Sequence, residues 1–144
     1  MHLKVETDYA IRMVDYLIKR KGIAGAPEIS EESKVPLRFA KNILQKLTKS
    51  EIVISYKGVY GGYELRKRPE ELSLYDVVNV TDGPLILNQC MQRREECFYK
   101  SYEECPYYNI FMEISLELQN RMQGIKFSDL QYKNARASDN SSDF

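Results

Sequence analysis

The chain has 144 residues, of which 43% are hydrophobic and 29% charged, and its 21 basic and 21 acidic residues give a net charge of zero. This composition predicts a globular domain with one core, and it excludes a membrane protein because no apolar run approaches the ~20 residues that cross a bilayer. The N-terminus lacks the apolar region and cleavage site of a signal peptide, so we expect a cytoplasmic protein.

The charges are unevenly distributed along the chain. Residues 34–68 contain nine basic and two acidic residues, a net charge of +7, and the rest of the chain carries −7. A neutral protein with one strongly basic third suggests a surface that binds a polyanion. Charge alone also fits an ordinary solvated surface, so the other features of the segment must decide.

Two helices are predicted before the basic segment. The first covers residues 7–22, with Thr7 as N-cap, Asp8 in the first turn and Gly22 at the end. Its apolar residues recur with helical spacing, at Ala10, Met13, Val14 and Leu17. A short second helix begins at Pro27 and ends before Pro36.

A third helix is predicted over residues 37–50. Its expected buried face comprises Phe39, Ala40, Ile43, Leu44 and Leu47. Two β-rich stretches, 52–54 and 63–65, then bracket several glycines and predict a hairpin with Lys57 and Tyr60 at its tip. Three helices followed by a two-stranded ribbon are the order of a winged helix-turn-helix domain, which we assign to residues 1–83.

In such a domain the third helix and the ribbon face DNA. We therefore expect a set of basic, polar and aromatic residues to bind double-stranded DNA, although a solvated helix face is the alternative. These residues are Lys34, Arg38, Phe39, Lys41, Asn42, Gln45, Lys46, Lys57 and Tyr60.

The C-terminal half is predicted to be helical as well. Ser73 and Asp76 occupy capping-box positions of a fourth helix that Gly83 closes. A long helix runs from Pro106 to Met122. Its wide apolar stripe is formed by Ile110, Phe111, Ile114, Leu118 and Met122.

That stripe favours a dimerisation helix over packing on its own domain. The predicted fold is mainly α with a small β-wing, namely a winged helix-turn-helix domain plus a long C-terminal dimerisation helix. Residues 84–106 form a cysteine segment, 107–131 the dimerisation helix and a return segment, and 132–144 a disordered tail.

All three cysteines lie in one short stretch, at Cys90, Cys97 and Cys105. The loops between them are short and close at little entropic cost, so the thiols can converge. Their odd number argues against a closed disulfide framework, and soft thiolates favour zinc or an iron–sulfur cluster over a hard cation. Scattered structural thiols, or a redox pair with one spare thiol, are the alternatives.

Four stretches carry a resemblance to a known family. They are DYAIRMVDYL in the first helix, VPLRFAKNILQKLTKSEIV through the third, KGVYGGYEL in the hairpin and SLYDVVNVTDGPL before the cysteines. From Leu3 to about Leu130 the chain resembles the Rrf-type winged-helix regulators, the IscR- and NsrR-like iron–sulfur proteins. The resemblance implies a homodimer that binds a palindromic DNA operator under the control of an iron–sulfur cluster.

The resemblance also implies the metal ligands. Cys90, Cys97 and Cys105 match the family's cluster cysteines. One branch takes its fourth ligand from a His at the position of Tyr108, so that ligand is missing here; another takes an Asp from the other subunit, at the position of Asp8. The implied cofactor is a [4Fe-4S] cluster, with [2Fe-2S] as the alternative. An acid in the first turn of a helix is, however, also favoured by the helix dipole alone.

The hairpin departs from the family pattern. The family typically reads Arg-Gly-Pro-Gly-Gly-Gly-Tyr, whereas this chain reads Lys-Gly-Val-Tyr-Gly-Gly-Tyr from Lys57 to Tyr63. Lysine keeps the positive charge but loses the planar guanidinium fork. We therefore expect a weaker preference for narrow, A·T-rich minor grooves.

Three functions compete for this sequence. The first is a transcriptional regulator that senses nitric oxide, redox state or iron through a cluster, and the second is a zinc-bound or thiol-switch regulator without a cluster. The third, an enzyme that uses the thiols as electron carriers, leaves the +7 segment unexplained. The acids of the second helix (Glu28, Glu31 and Glu32) have no nucleophile, His or phosphate loop beside them, so we predict that the chain is not an enzyme.

Overall fold

The computed structural model describes residues 2–93, 95, 97 and 103–131. Its helices are α1 (Val5–Arg20), α2 (Ala26–Ser33), α3 (Leu37–Lys49), α4 (Leu74–Thr81) and α5 (Pro106–Gln123), and its strands are β1 (Val53–Tyr56) and β2 (Gly62–Leu65). The predicted fold, mainly α with a small β-wing, is confirmed. Of the helices described, none is long and apolar enough to cross a membrane.

Helix α1 lies at the centre of the winged domain and packs against α2, α3, α4 and β2. Its apolar stripe is fully buried, as its spacing predicts, at Ala10, Met13, Val14 and Leu17. Opposite it lie the apolar residues of α3, also fully buried, at Ala40, Ile43, Leu44 and Leu47. Burial of each large side chain contributes about 1.5–3 kcal/mol, so this helix pair provides much of the stability of the domain.

The start of α1 differs from the prediction. The helix begins at Val5 with Lys4 as its N-cap residue, and Thr7 is completely buried. The Thr7 hydroxyl lies 2.5 Å from the Thr81 hydroxyl and donates to the Asp82 carboxylate. Asp82 also accepts the backbone N–H of Lys4 at 3.2 Å. An acid from the end of α4 therefore satisfies the start of α1, and this tertiary contact outweighs the local capping preference of Thr7.

A three-residue turn joins α2 to α3. Lys34 takes the left-handed conformation (φ 54°, ψ 46°) and ends α2. The Val35 N–H donates to the Ser30 carbonyl at 3.0 Å, and the Ser30 hydroxyl donates to the Val35 carbonyl at 2.6 Å. These two bonds fix the turn, and they hold α3 in the position of a recognition helix.

The wing is an antiparallel hairpin in which Val53 pairs with Leu65 and Tyr56 with Gly62. Strand β2 also pairs with Ala24 on its other side, through two backbone hydrogen bonds between Ala24 and Tyr63 of 2.8 and 2.9 Å. Gly62 is required for this approach, because a Cβ atom there would lie 2.6 Å from the Ala24 carbonyl oxygen. The wing is thus joined to the body of the domain along one edge.

The predicted capping box of α4 is confirmed. The Ser73 hydroxyl accepts the Asp76 N–H at 3.1 Å, and the Asp76 carboxylate accepts the Ser73 N–H at 2.9 Å. The return segment then joins the same region, since Phe127 is buried in the core and its N–H donates to the Leu72 carbonyl at 3.0 Å. The chain after α5 therefore comes back to the winged domain.

Helix α5 itself lies largely outside the core. Ser115 is its one buried residue, although the helix has 18 residues. It contacts α4 and the 3-10 turn Gln89–Met91, and Gln119 donates to the Leu85 carbonyl at 3.0 Å. The predicted tail, 132–144, lies outside the described residues.

Candidate nucleic-acid interface and cysteine segment

One face of α3 is polar and solvent-exposed, whereas the opposite, apolar face packs into the core. The exposed set includes Arg38, Phe39, Lys41, Asn42 and Gln45, and Lys34 is exposed in the turn that precedes the helix. Along the exposed face these side chains offer cations for phosphates together with amide groups that suit base edges. The residues of α3 that the sequence predicts to bind DNA therefore share one exposed face of the helix, apart from Lys46, which is half-buried.

Two residues of the predicted DNA-binding set have partners inside the chain. Lys46 is half-buried, and its Nζ atom lies 2.7 Å from the Glu6 carboxylate of α1. This pair reduces the net charge that Lys46 can offer to a phosphate. Phe39, which the helical spacing places on the buried face, is instead 49% exposed, and its ring meets the Tyr9 ring edge-on at 5.8 Å.

The exposure of Phe39 corrects the predicted buried face and has a simple cause. Phe39 lies in the first turn of α3, at the end of the helix, where its ring packs on Tyr9 of α1 and stays half exposed. Tyr9 in turn lies under the Arg12 guanidinium, whose carbon is 5.5 Å from the ring centroid. Phe39 therefore lies at the edge of the core and on the exposed face at the same time.

A cleft separates α3 from the wing. Its volume is about 380 Å³, and Gln45, Thr48, Lys49, Ser55 and Tyr63 line it. Hydroxyl, amide and ammonium groups of this kind bind phosphate oxygens. The cleft lies between α3 and the wing, the two elements that are predicted to face DNA, so it extends the polar face of α3 to the wing.

The tip of the wing projects away from the domain. Lys57 is exposed, as are Val59 and Tyr60 beside it. Both the α3 face and the wing tip thus present the predicted residues to solvent.

Each cysteine of the predicted metal site lies in a different local structure. Cys90 is half-buried in the 3-10 turn, and Cys97 is half-buried and lies in none of the described helices or strands. Cys105 is buried as the N-cap of α5, where its Sγ atom accepts the Tyr108 N–H at 3.4 Å. Across the described part of the chain, no group of three or more His, Cys, Asp or Glu side chains is placed to hold a metal ion. The donor chemistry suits a soft metal, but the predicted convergence of the thiols is not seen within the single chain.

Asp8, the predicted fourth ligand, is exposed on α1. Its carboxylate accepts a bond from the Arg12 guanidinium one turn later. It is accessible to another molecule, and in this chain its charge is balanced by a neighbouring cation.

Helices α1 and α2 are joined by a polar cluster that the sequence does not indicate. The Glu28 carboxylate accepts the Tyr16 hydroxyl at 2.6 Å and the Arg20 Nε–H at 2.7 Å. These bonds, that of Tyr16 first, hold the pKa of Glu28 below its ordinary value. Glu28 is therefore a structural residue that holds α2 against α1. The sequence does not reveal this role, because both of its partners lie in a different helix.

A helix-turn-helix with an exposed polar recognition helix and a projecting wing defines the class of winged-helix DNA-binding proteins. A sequence model of the Rrf2 family, described as an iron-dependent transcriptional regulator, matches residues 3–133. The chain belongs to this family of DNA-binding transcriptional regulators, whose members are not enzymes.

Several individual proteins are similar to this chain. The regulator IscR of Aliivibrio salmonicida is 25% identical over 136 residues, which cover 93% of this chain and 79% of the relative. The regulator NsrR of Oceanobacillus iheyensis is 27% identical over 95 residues, which cover 65% of each chain. Among solved structures, CymR of B. subtilis, named a global cysteine regulator, superposes with a TM-score of 0.69 at 18% identity and covers 90% of this chain and 95% of its own.

Proposed function

We propose that the chain acts as a homodimer that binds a palindromic DNA operator and that the chemistry of its three cysteines controls this binding. The observation that carries the proposal is the division of α3 into a fully buried apolar face and an exposed polar one. Two copies of such a helix, one per subunit, would read two half-sites in successive major grooves.

The proposed DNA contacts divide into two kinds. Lys41 and Lys57 are exposed cations that suit phosphates, and Asn42 has an amide that suits an adenine edge. Lys57→Ala should weaken binding to all sequences alike, whereas Asn42→Ala should relax discrimination at particular bases. A dimer that neutralises about eight phosphates would show a log–log salt slope near −7.

The test measures binding to a duplex that the protein enriches from a random-sequence pool. Lys19→Ala is the matched control, because it removes one exposed cation from α1 that already pairs with Asp15 at 2.6 Å. We expect this control to bind like the parent. If Lys57→Ala and Asn42→Ala also bind like the parent, the assigned face is wrong.

Helix α5 supports the proposed dimer. Ile110 is 48% exposed, Ile114 42% and Leu116 48%, and no large apolar residue of the helix is buried within its own chain. A second copy of the same helix would cover these side chains symmetrically, as in most homodimers. The alternative prediction, that α5 packs on its own domain, is disfavoured by this exposure.

The proposed control acts through Cys90, Cys97 and Cys105. The finer form of the proposal is an iron–sulfur cluster, [4Fe-4S] or else [2Fe-2S], with Asp8 of the partner subunit as fourth ligand. Three soft thiols in one short segment support it, as do the relatives named IscR and NsrR. Anaerobic purification followed by absorbance, iron and sulfide assays tests it, and Asp8→Ala tests the fourth ligand.

The second candidate is a zinc-bound or thiol-switch regulator without a cluster. The separate positions of the three thiols favour it, and so does the similarity to CymR, named a cysteine regulator. A colourless protein with bound zinc, or one without metal whose DNA binding changes on mild thiol oxidation, would establish this alternative. A coloured protein with matching iron and sulfide would exclude it.

A further inference from the structure

Two apolar side chains at the tip of the wing are almost wholly exposed. Val59 is 96% exposed and Tyr60 93%; among the residues that the structure describes, the next most exposed large hydrophobic one is Val5 at 65%. A single exposed apolar residue is ordinary on a protein surface. Two adjacent ones at the tip of a hairpin form a small apolar protrusion. Nearly all of its surface is in contact with water, so a partner that covered it would gain the favourable free energy of burying apolar surface.

The turn that carries them has a defined shape. The Gly61 N–H donates to the Gly58 carbonyl at 3.0 Å, and Gly58 takes a φ of 100° that other residues rarely adopt. At Gly61 a Cβ atom would lie 2.2 Å from the Tyr56 carbonyl oxygen, so only glycine fits there. The turn therefore presents Val59 and Tyr60 as a fixed pair.

The position of the pair identifies its partner. Lys57 precedes it, and the polar cleft beside Lys49 and Ser55 connects the wing to the exposed face of α3. The protrusion thus lies at the end of the hairpin whose strands line that cleft, and Lys57 places a positive charge beside it. An apolar protrusion beside cations suits a nucleic-acid groove, where phosphates lie on both sides of an apolar stack of bases.

We propose that Val59 and Tyr60 form an apolar wedge that enters the minor groove of the operator and partly unstacks one base step. This proposal rests on the proposed function and adds a means of reading sequence to it. Side chains inserted between base steps bend the duplex, and flexible pyrimidine–purine steps open most easily. The wing would therefore select for deformable steps through Val59 and Tyr60, while Lys57 contacts the backbone without reading sequence.

The test compares two variants on one duplex, selected by the parent protein from a random-sequence pool. 2-Aminopurine replaces single adenines in the segment that the wing protects, since its fluorescence rises when it is unstacked. The parent should raise this fluorescence. V59S/Y60S should abolish the rise and weaken binding about tenfold to a hundredfold. The salt slope should not change, because neither substitution removes a charge.

Lys57→Ala is the matched control for the same loop. It should keep the fluorescence rise and reduce the salt slope by about one per wing. Both side chains of the wedge are exposed, so V59S/Y60S should unfold at the parent's temperature, and a thermal scan checks this.

Three outcomes would count against the wedge. If V59S/Y60S binds and unstacks the duplex like the parent, the wedge alone is overturned. If the double variant loses DNA binding only because it becomes monomeric, as light scattering would show, the pair contacts a second copy instead. If the parent enriches no duplex at all, the proposed function fails and the wedge fails with it.

Discussion

Helices α1 and α5 are the two longest helices described in this chain, with 16 and 18 residues. They differ in burial: α1 buries its apolar stripe, whereas α5 leaves most of its apolar residues at least partly exposed. In α1 five residues are buried, among them Met13 and Leu17, and its start is satisfied by Asp82. In α5 only Ser115 is buried, while Ile110 and Ile114 remain nearly half exposed. The winged domain buries the apolar side chains of its core within one chain, whereas α5 leaves apolar side chains exposed to solvent.

The difference separates two sources of stability. The core around α1 is intramolecular, so it should not depend on protein concentration. Any stability that α5 gains from a second copy must depend on concentration by mass action. The effects of substitutions in the two helices should therefore differ in whether they depend on protein concentration.

The largest effect is expected from charges placed on α5. Replacing both Ile114 and Leu118 with Glu would bring four carboxylates into a symmetric apolar interface, and a buried unpaired charge costs several kcal/mol. In the single chain Ile114 is exposed and Leu118 half-buried, so the variant should stay folded as a monomer. Light scattering measures the mass, and circular dichroism checks the fold.

Gln123→Glu supplies the control, since it adds a charge at an exposed polar position of the same helix. This variant should keep the dimer mass. If the protein that carries both Ile114→Glu and Leu118→Glu also kept the mass of a dimer, α5 would not be the dimer interface.

A smaller effect is expected from one pair of identical truncations. Ile43 is fully buried in α3, and Ile43→Ala should lower the free energy of unfolding by about 2–5 kcal/mol at every protein concentration. Ile114→Ala removes the same atoms from a position that is 42% exposed in the single chain. The loss in free energy of unfolding that this substitution causes should be larger at protein concentrations where more of the protein is dimeric. Denaturant unfolding at two protein concentrations measures this difference. If the cost of Ile114→Ala is independent of concentration, α5 is stabilised within its own chain.

The sequence predicts the winged domain well because its signals are local. The spacing of Met13, Val14 and Leu17 and the capping box at Ser73 depend on residues within one or two turns, and all appear as expected. Lys4 and Thr7 show the limit of this reasoning. Their true partner, Asp82, lies 75 or more residues away, and no local rule identifies it.

The less predictable parts of the site depend on contacts that form between distant elements or between chains. Phe127 enters the core beside a bridge between Ser73 and Lys126, two residues far apart in the chain that no local sequence signal pairs. The cysteine spacing permits convergence of the thiols but cannot require it, because the local structure at Cys105 places its sulfur at the start of α5. Whether Asp8 completes a site depends on a second chain.

The smallest effect concerns the pH dependence of stability at the N-termini of the two helices α4 and α5. Asp76 forms part of the capping box of α4, whereas α5 begins at Cys105 and has no acid in its first turn. Burial raises the pKa of Asp76, but bonds from the Ser73 N–H and from Lys67, each 2.9 Å long, outweigh it and lower the pKa below its ordinary value. Because the folded-state pKa lies below the unfolded value of about 3.9, this contribution is fully present above that pH and is lost as the pH falls through the folded-state pKa.

Asp76→Asn should therefore cost about 1 kcal/mol at neutral pH. The cost should shrink as the pH falls from about 4 towards the lower folded-state pKa, where the parent carboxylate becomes protonated as well. Glu70→Gln, which removes an exposed acid from the preceding turn, should stay within about 0.5 kcal/mol of the parent at every pH. Urea unfolding of the three proteins between neutral pH and pH 3 makes the comparison. A constant difference between parent and Asp76→Asn across that range would mean that the side chain stabilises α4 by its shape rather than by its charge, and the acidic cap would then not distinguish α4 from α5.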